Sequence, residues 1–168
     1  VLRFPAWDCL PYDRVSPAAE VVARRLATLA KLAEPATGPL IVLTTINAIL
    51  QRVVPKSTIA SATFAATPGQ SLDSNKLISF LSENGFSRTG TVVDPGDYAV
   101  RGGIVDLFPP GSDAPVRLDF FGDTLETIRS FDPQSQRSTG SLKELRFNAA
   151  NEVLLTPEAI ARFRKNYA

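Results

Sequence analysis

A chain of 168 residues, 44% hydrophobic and 21% charged, is long enough for one sizeable core or for one small domain plus part of another. With 18 basic against 17 acidic side chains it carries no charge excess of the kind that marks a nucleic-acid or membrane surface. It has no His and one Cys, which excludes within it imidazole catalysis, Ser-His triads, His-ligated metals, internal disulfides and Cys metal clusters, and the lone Cys fits a cytoplasmic setting.

Val1 to Asp13 sets Phe4, Trp7, Leu10 and Tyr12 among Pro5 and Pro11, a pattern of extended, partly buried chain. Trp7 reads as a packing anchor and Cys9 as a small buried hydrophobe. Ser16-Pro17 is a helix start, Ser as N-cap and Pro at the first helical position. Val22, Leu26, Leu29 and Ala33 follow at i, i+4, i+7 and i+11 as one apolar stripe. Arg24 and Arg25 are assigned to a solvated face off that stripe. Leu40 to Leu43 is a continuous apolar run, expected as a strand buried on both faces, and Thr44 or Thr45 caps a short helix through Leu50. This is part of a parallel α/β domain with too few strands to complete its sheet. A chain that starts at Val1 and contains no Met is expected to be a piece of something longer. There is no Gly-Lys-[Ser/Thr] phosphate loop, no Asp-Glu helicase dipeptide and no apolar run of roughly 18 residues. The piece is therefore expected not to be an enzyme, to take no cofactor or metal, and not to enter a membrane.

Composition shifts near Pro55-Lys56. Ser57 to Thr67 is small, rich in Ser and Thr and expected as a strand. Asp73 caps a helix whose Leu77, Phe80 (or Ile78) and Leu81 face inward, and Asn84-Gly85 stops it. After the segment from Phe86 to Pro110, Val116 to Phe120 alternates as a strand, and Gly122-Asp123 turns the chain into another ending near Phe131. Leu142 to Phe147 is expected to return to the first domain, and Thr156-Pro157-Glu158 starts a helix with the stripe Ile160, Phe163 and Tyr167. The expected division is residues 1–56 with 141–168 as one domain and 57–140 as an inserted α+β module.

Two β-rich runs, Arg88 to Val93 and Tyr98 to Phe108, flank Asp94-Pro95-Gly96-Asp97, which suits a type II turn. Paired as a hairpin, they set Val93 opposite Tyr98, Thr91 opposite Val100 and Gly90 opposite Arg101. Alternation then places Arg88, Gly90, Val92, Ala99, Arg101 and Gly103 on one face, and Thr91, Val93, Tyr98, Val100 and Ile104 on the core face. Two arginines on an open face with no carboxylate between them suit a carboxylate-bearing partner. The same pattern also describes a solvated edge whose charges suppress aggregation. Asp106 and Asp119 read as local ion-pair partners of sheet arginines, and Phe108, Phe120 and Phe121 as core.

Several motifs occur in a fixed order: Phe4-Pro5-Ala6-Trp7, Leu10-Pro11-Tyr12-Asp13, Ser16-Pro17, Tyr98 to Pro109 (YAVRGGIVDLFP), Arg117-Leu118-Asp119-Phe120-Phe121 and Ser130-Phe131-Asp132-Pro133. Together they resemble the N-terminal UvrB-like region of the bacterial transcription-repair coupling factors (Mfd). UvrB itself is the weaker match, since Leu10-Pro11-Tyr12-Asp13 runs almost directly into Ser16-Pro17 and leaves no room for its DNA-clamping hairpin. The resemblance implies a partial, degenerate helicase-like (RecA-type) α/β domain carrying an inserted UvrB-domain-2-like α+β module that binds UvrA. It also implies a UvrA contact at Arg88 and Arg101, with Gly90, Ala99 and Gly103 on the same face; a further family arginine is replaced here by Ala99. RNA polymerase, DNA, ATP and magnesium would be engaged by other domains of the parent protein.

Three function readings follow. The first is a non-catalytic module that recruits UvrA to lesion-stalled RNA polymerase in nucleotide excision repair. The second is a structural or autoinhibitory module that masks its interface within the parent translocase. The third is DNA binding through Arg24, Arg25 and Arg88, which requires a steep salt dependence.

Overall fold

The computed structural model describes residues 1–10, 14–35, 38–152, 160–161 and 164–165. Most of the helix expected from Thr156, with Phe163 and Tyr167 of its stripe, lies outside the described residues.

The chain opens with a parallel unit. β1 (Leu2–Phe4) pairs with β2 (Val42–Thr44) in the register Leu2↔Val42 to Phe4↔Thr44, and α1 (Ala19–Ala33) makes the crossover. The helix starts at Ala19, two residues beyond the expected Pro17, because Ala18 is still extended. Its N–H is taken by the Asp8 carboxylate at 3.0 Å, and Ala18, which has no side-chain acceptor, holds the N-cap position expected for Ser16. β2 departs from its expected double burial. Among the described residues it has β1 along one edge only, and Leu40, Ile41 and Leu43 are exposed. Thr45 caps α2 (Ile46–Leu50) by accepting the Ala48 N–H at 3.3 Å.

Residues 57–67 are not one strand. Pro55 opens α3 (Lys56–Ser61), and Ile59 and Ala62 bury against Val22 and Leu26 of α1; only then does β3 (Thr63–Ala66) begin. α4 (Ser74–Glu83) forms as expected. Asp73 accepts the Asn75 N–H, Leu77 and Leu81 are fully buried, and the chain leaves through Gly85 at φ +84° with Phe86 N–H donating to Leu81 O at 3.0 Å.

The main sheet has six strands in chain order: β4 (Ser87–Arg88), β5 (Asp97–Arg101), β6 (Ile104–Leu107), β7 (Val116–Phe121), β8 (Thr124–Phe131) and β9 (Ser138–Ser141). All neighbours are antiparallel except β4 and β5. α4 covers one face, where Leu77 and Leu81 meet Tyr98, Val105, Leu107, Leu118 and Ile128. β10 (Leu145–Asn148), expected in the first domain, instead pairs with β3 and sends Leu145 and Phe147 into this same core. The Phe147 ring lies 5.4, 5.9 and 5.6 Å from those of Phe64, Phe80 and Phe86. Each such pair adds about 0.5–1.5 kcal/mol to simple burial, which explains why the return strand docks here.

Candidate partner-binding face

The hairpin that organises the site is not the one flanking Pro95-Gly96. Asp94 to Asp97 does form a turn, with Asp97 N–H donating to Asp94 O at 3.0 Å and Gly96 at φ +97°. However, β4 returns parallel to β5, pairing Ser87 with Asp97 and Arg88 with Tyr98. The antiparallel hairpin is β5–β6, closed by Gly102-Gly103 between Arg101 and Ile104, with Gly102 at φ +59°. A two-residue turn with Gly at positive φ in its first position matches strand twist, which a type II turn does not.

This changes the placement of every expected site residue. Arg88 pairs with Tyr98, whose side chain faces the core, while Arg101 lies three residues further along β5 and so projects from the other side. The two guanidinium groups do not share a face. Ala99 is buried beneath Val92, Phe108 and Phe131, so it is not part of an open surface. Val92 is buried and Val93 exposed, the reverse of the expected core assignment for that pair. Gly90 is exposed in the irregular stretch after β4, and Gly103 occupies the hairpin tip. β4 ends at Arg88, so among the described residues Ala99 to Arg101 of β5 has no strand on that side. Arg88 is exposed and forms no side-chain ion pair or hydrogen bond among the described residues.

Arg101 belongs to a charge ladder on the sheet face away from α4. The register Ala99↔Asp106↔Arg117↔Arg129 aligns these side chains across four strands, with Arg101 and Asp119 one step along on the same side. Asp106, fully buried, accepts from Arg117 Nε at 2.7 Å and Nη2 at 2.9 Å, and also from Arg101 Nη2. The side chain of Arg117 is 17% exposed and that of Arg101 is 49% exposed. Arg117 also lies over the Phe131 ring at 4.9 Å. Its guanidinium is held above its ordinary pKa, first by the hydrogen bond to Asp106. Next along, Asp119 accepts from Arg129 and from Thr127 Oγ1. Asp106 and Asp119 are thus the local partners the sequence indicates. A carboxylate does lie on the Arg101 face, contrary to expectation, but one Asp106 charge is shared by two guanidinium groups. The Arg101–Asp106–Arg117 triad keeps a net positive charge. Arg101 engages Asp106 through Nη2 alone and retains its other donors for an incoming carboxylate.

A second buried network was missed by the sequence reading. Arg25, assigned to a solvated face, is 0% exposed. Its Nε donates to Glu152, its Nη1 to Pro5 O at 2.8 Å and to Gln51 Oε1 at 3.0 Å, and it lies over the Phe4 and Trp7 rings at 4.4 and 5.0 Å. Trp7 Nε1 donates to the same Glu152 at 3.1 Å. Arg25 is therefore unavailable to a DNA phosphate, which removes one of the three cations of the DNA-binding reading. Among the described residues no group of His, Cys, Asp and Glu side chains is placed to hold a metal ion, and no helix is long and apolar enough to cross a membrane.

Comparison with known proteins adds two findings. Residues 64–152 match the family described as the UvrB interaction domain. Over 162 residues the chain is 43% identical to a protein named transcription-repair-coupling factor from Myxococcus xanthus. It is 40% identical to the one from Rickettsia bellii and 36% to the one from Escherichia coli, each over 167 residues. These matches cover 96–99% of this chain but only 13–15% of the relatives.

Proposed function

The chain belongs to the UvrB interaction domain family, in the form carried by transcription-repair-coupling factors, and on that premise we propose that it is a non-catalytic recognition module whose partner is UvrA. The observation that carries this reading is the Arg101–Asp106–Arg117 triad. Its buried carboxylate orients a half-exposed guanidinium, and the cluster stays cationic. A guanidinium held in place before the encounter loses less side-chain entropy on binding and presents donors suited to a carboxylate. Arg88, on the other side of the sheet at its β4 edge, supplies a second cation, so the partner reaches round that edge instead of lying flat on one face.

In this reading the module brings UvrA to RNA polymerase stalled at a lesion in the cytoplasm during nucleotide excision repair. Contacts to the polymerase and DNA, and the ATP and magnesium chemistry of translocation, belong to other domains of a longer protein. The β1–α1–β2 unit is part of a degenerate helicase-like domain, and the module built on the six-stranded sheet is its insertion. Capture of purified UvrA by the immobilised chain tests the proposal. Retention that is lost on joint Arg88→Glu and Arg101→Glu substitution supports it, and failure of the unaltered chain to retain UvrA refutes it.

A further inference from the structure

α1 does not close fully on the strand pair β3–β10. The register sets Ala65 opposite Arg146 and Thr63 opposite Asn148, and alternation turns these four away from Phe64, Ala66, Leu145 and Phe147, which pack into the main core. Between that outer face and the last turns of α1 lies a cleft of about 300 Å³, walled by Ala30 and Ala33 of α1, Ile59 of α3, and Thr63 and Ala65 of β3. Alanines meet across the gap and are too short to fill it, whereas a close-packed interior leaves few voids larger than a water molecule. The Thr63 hydroxyl is already engaged, donating to Asn148 Oδ1 at 2.9 Å, so the walls are in effect apolar.

The mouth of the cleft is charged. Arg146 Nη2 donates to Glu34 Oε1 at 2.8 Å, and Lys31 Nζ donates to Glu34 Oε2 at 2.8 Å. The hydrogen bond from Lys31 first, and then the charges of both cations, hold the Glu34 carboxyl below its ordinary pKa of 4.5. Two positive charges therefore surround one negative. The C-terminus of α1 adds roughly half a negative charge, less than the surplus. The side chain of Arg146 is 63% exposed, and its other N–H groups have no partner among the described residues.

We infer that this cleft binds a small amphipathic carboxylate, with its short apolar body against the alanine walls and its carboxylate on Arg146. The volume lies at the low end for small-ligand sites, which run to on the order of 300–1,000 Å³, and it suits a body of a few carbons rather than the surface of a folded partner. Charge sets the preference for an acid, because a guanidinium receives a carboxylate through paired hydrogen bonds while an amine of equal length meets a cationic rim. The site shares no residue with the Arg101–Asp106–Arg117 triad and stands apart from the recruitment reading.

Titration of the isotope-labelled chain with hexanoate, followed through its amide resonances, tests the inference, with hexylamine as the probe of opposite charge. The expected result is a saturable response to hexanoate centred on Ala30, Ala33, Thr63 and Ala65, and no saturable response to hexylamine. Arg146→Gln should weaken hexanoate binding at least about fivefold. Ala33→Leu, which places a larger side chain in the cleft, should abolish the response with the fold retained by thermal melting; should that variant not fold, Arg146→Gln decides. Failure of the parent to respond to hexanoate, an equal response to hexylamine, or unchanged affinity in Arg146→Gln overturns the assignment.

Discussion

Asp106 stands directly across the β6–β7 ladder from Arg117, and its fully buried carboxylate is grasped bidentately by that one guanidinium while also serving Arg101. A surface ion pair contributes little to stability. This carboxylate is out of water, and losing it strands one guanidinium that is itself mostly buried.

Asp106→Ala is therefore expected to destabilise the chain by about 3 kcal/mol, the low end for breaking a buried pair, because Arg101 is half exposed and can hydrate. Urea denaturation with an unchanged slope checks this, and a loss near that of a surface substitution would show that the ladder contributes little.

Arg25→Leu removes a buried cation, leaves the Glu152 charge without its cationic partner and takes one donor from Gln51 and from Pro5 O. The expected cost is about 3–5 kcal/mol, falling on the packing of α1 against the first segment. Hydrogen exchange should accelerate in α1 while the amides of β6 and β7 keep their protection.

Gly103→Ala has no room for its methyl group, since the atom it would meet is the backbone oxygen of Phe120. Main-chain movement at the β6–β7 pairing should cost about 1–3 kcal/mol. Gly102→Ala meets no atom but sits at φ +59°, so its cost is conformational. Thermal melting of the two variants separates crowding from strain.

The Asp132 carboxyl is held below its ordinary pKa of 3.8, first by the Ser135 backbone N–H it accepts at 2.7 Å. A depressed folded-state pKa means the stabilisation is fully present above the ordinary value and is lost as pH falls through the lowered one. Asp132→Ala should thus be less stable than the parent at neutral pH, and the gap should close in acid below that range. A gap that stays constant with pH would assign the effect to something other than this charge.

Much of the fold is legible in the residues. Asp73 and Asn84-Gly85 mark the ends of α4, and the alternation of Val116 to Phe120 separates core side chains from the ladder. Two features were readable but misassigned. Gly102-Gly103 between apolar runs is itself a hairpin signal, and it outweighs Pro95-Gly96 because its turn matches strand twist. Arg25 lies at i+3 from Val22 and i−4 from Leu29, inside the apolar stripe. Its buried partner Glu152 is 127 residues away, and no local pattern announces it. The segment 57–61 became helical through packing on α1, a tertiary effect that its Ser/Thr composition does not reveal.

Arg88 and Arg101 should differ in their effect on stability. Arg88→Glu breaks no ion pair and should change stability by no more than about 0.5 kcal/mol. Arg101→Glu sets a carboxylate beside Asp106 and should lower the melting temperature modestly without unfolding the chain, because Arg117 still neutralises the buried charge.

The most direct measurement is the affinity of UvrA for the folded chain before and after Arg101→Glu, by calorimetry at fixed ionic strength. Hydrogen bonds to charged groups contribute about 1.5–3 kcal/mol each, so binding by the parent and at least about tenfold weaker binding by the still-folded variant is the expected result. Equal affinities, or no heat of binding from the parent, would contradict the assignment of this cationic triad to partner recognition.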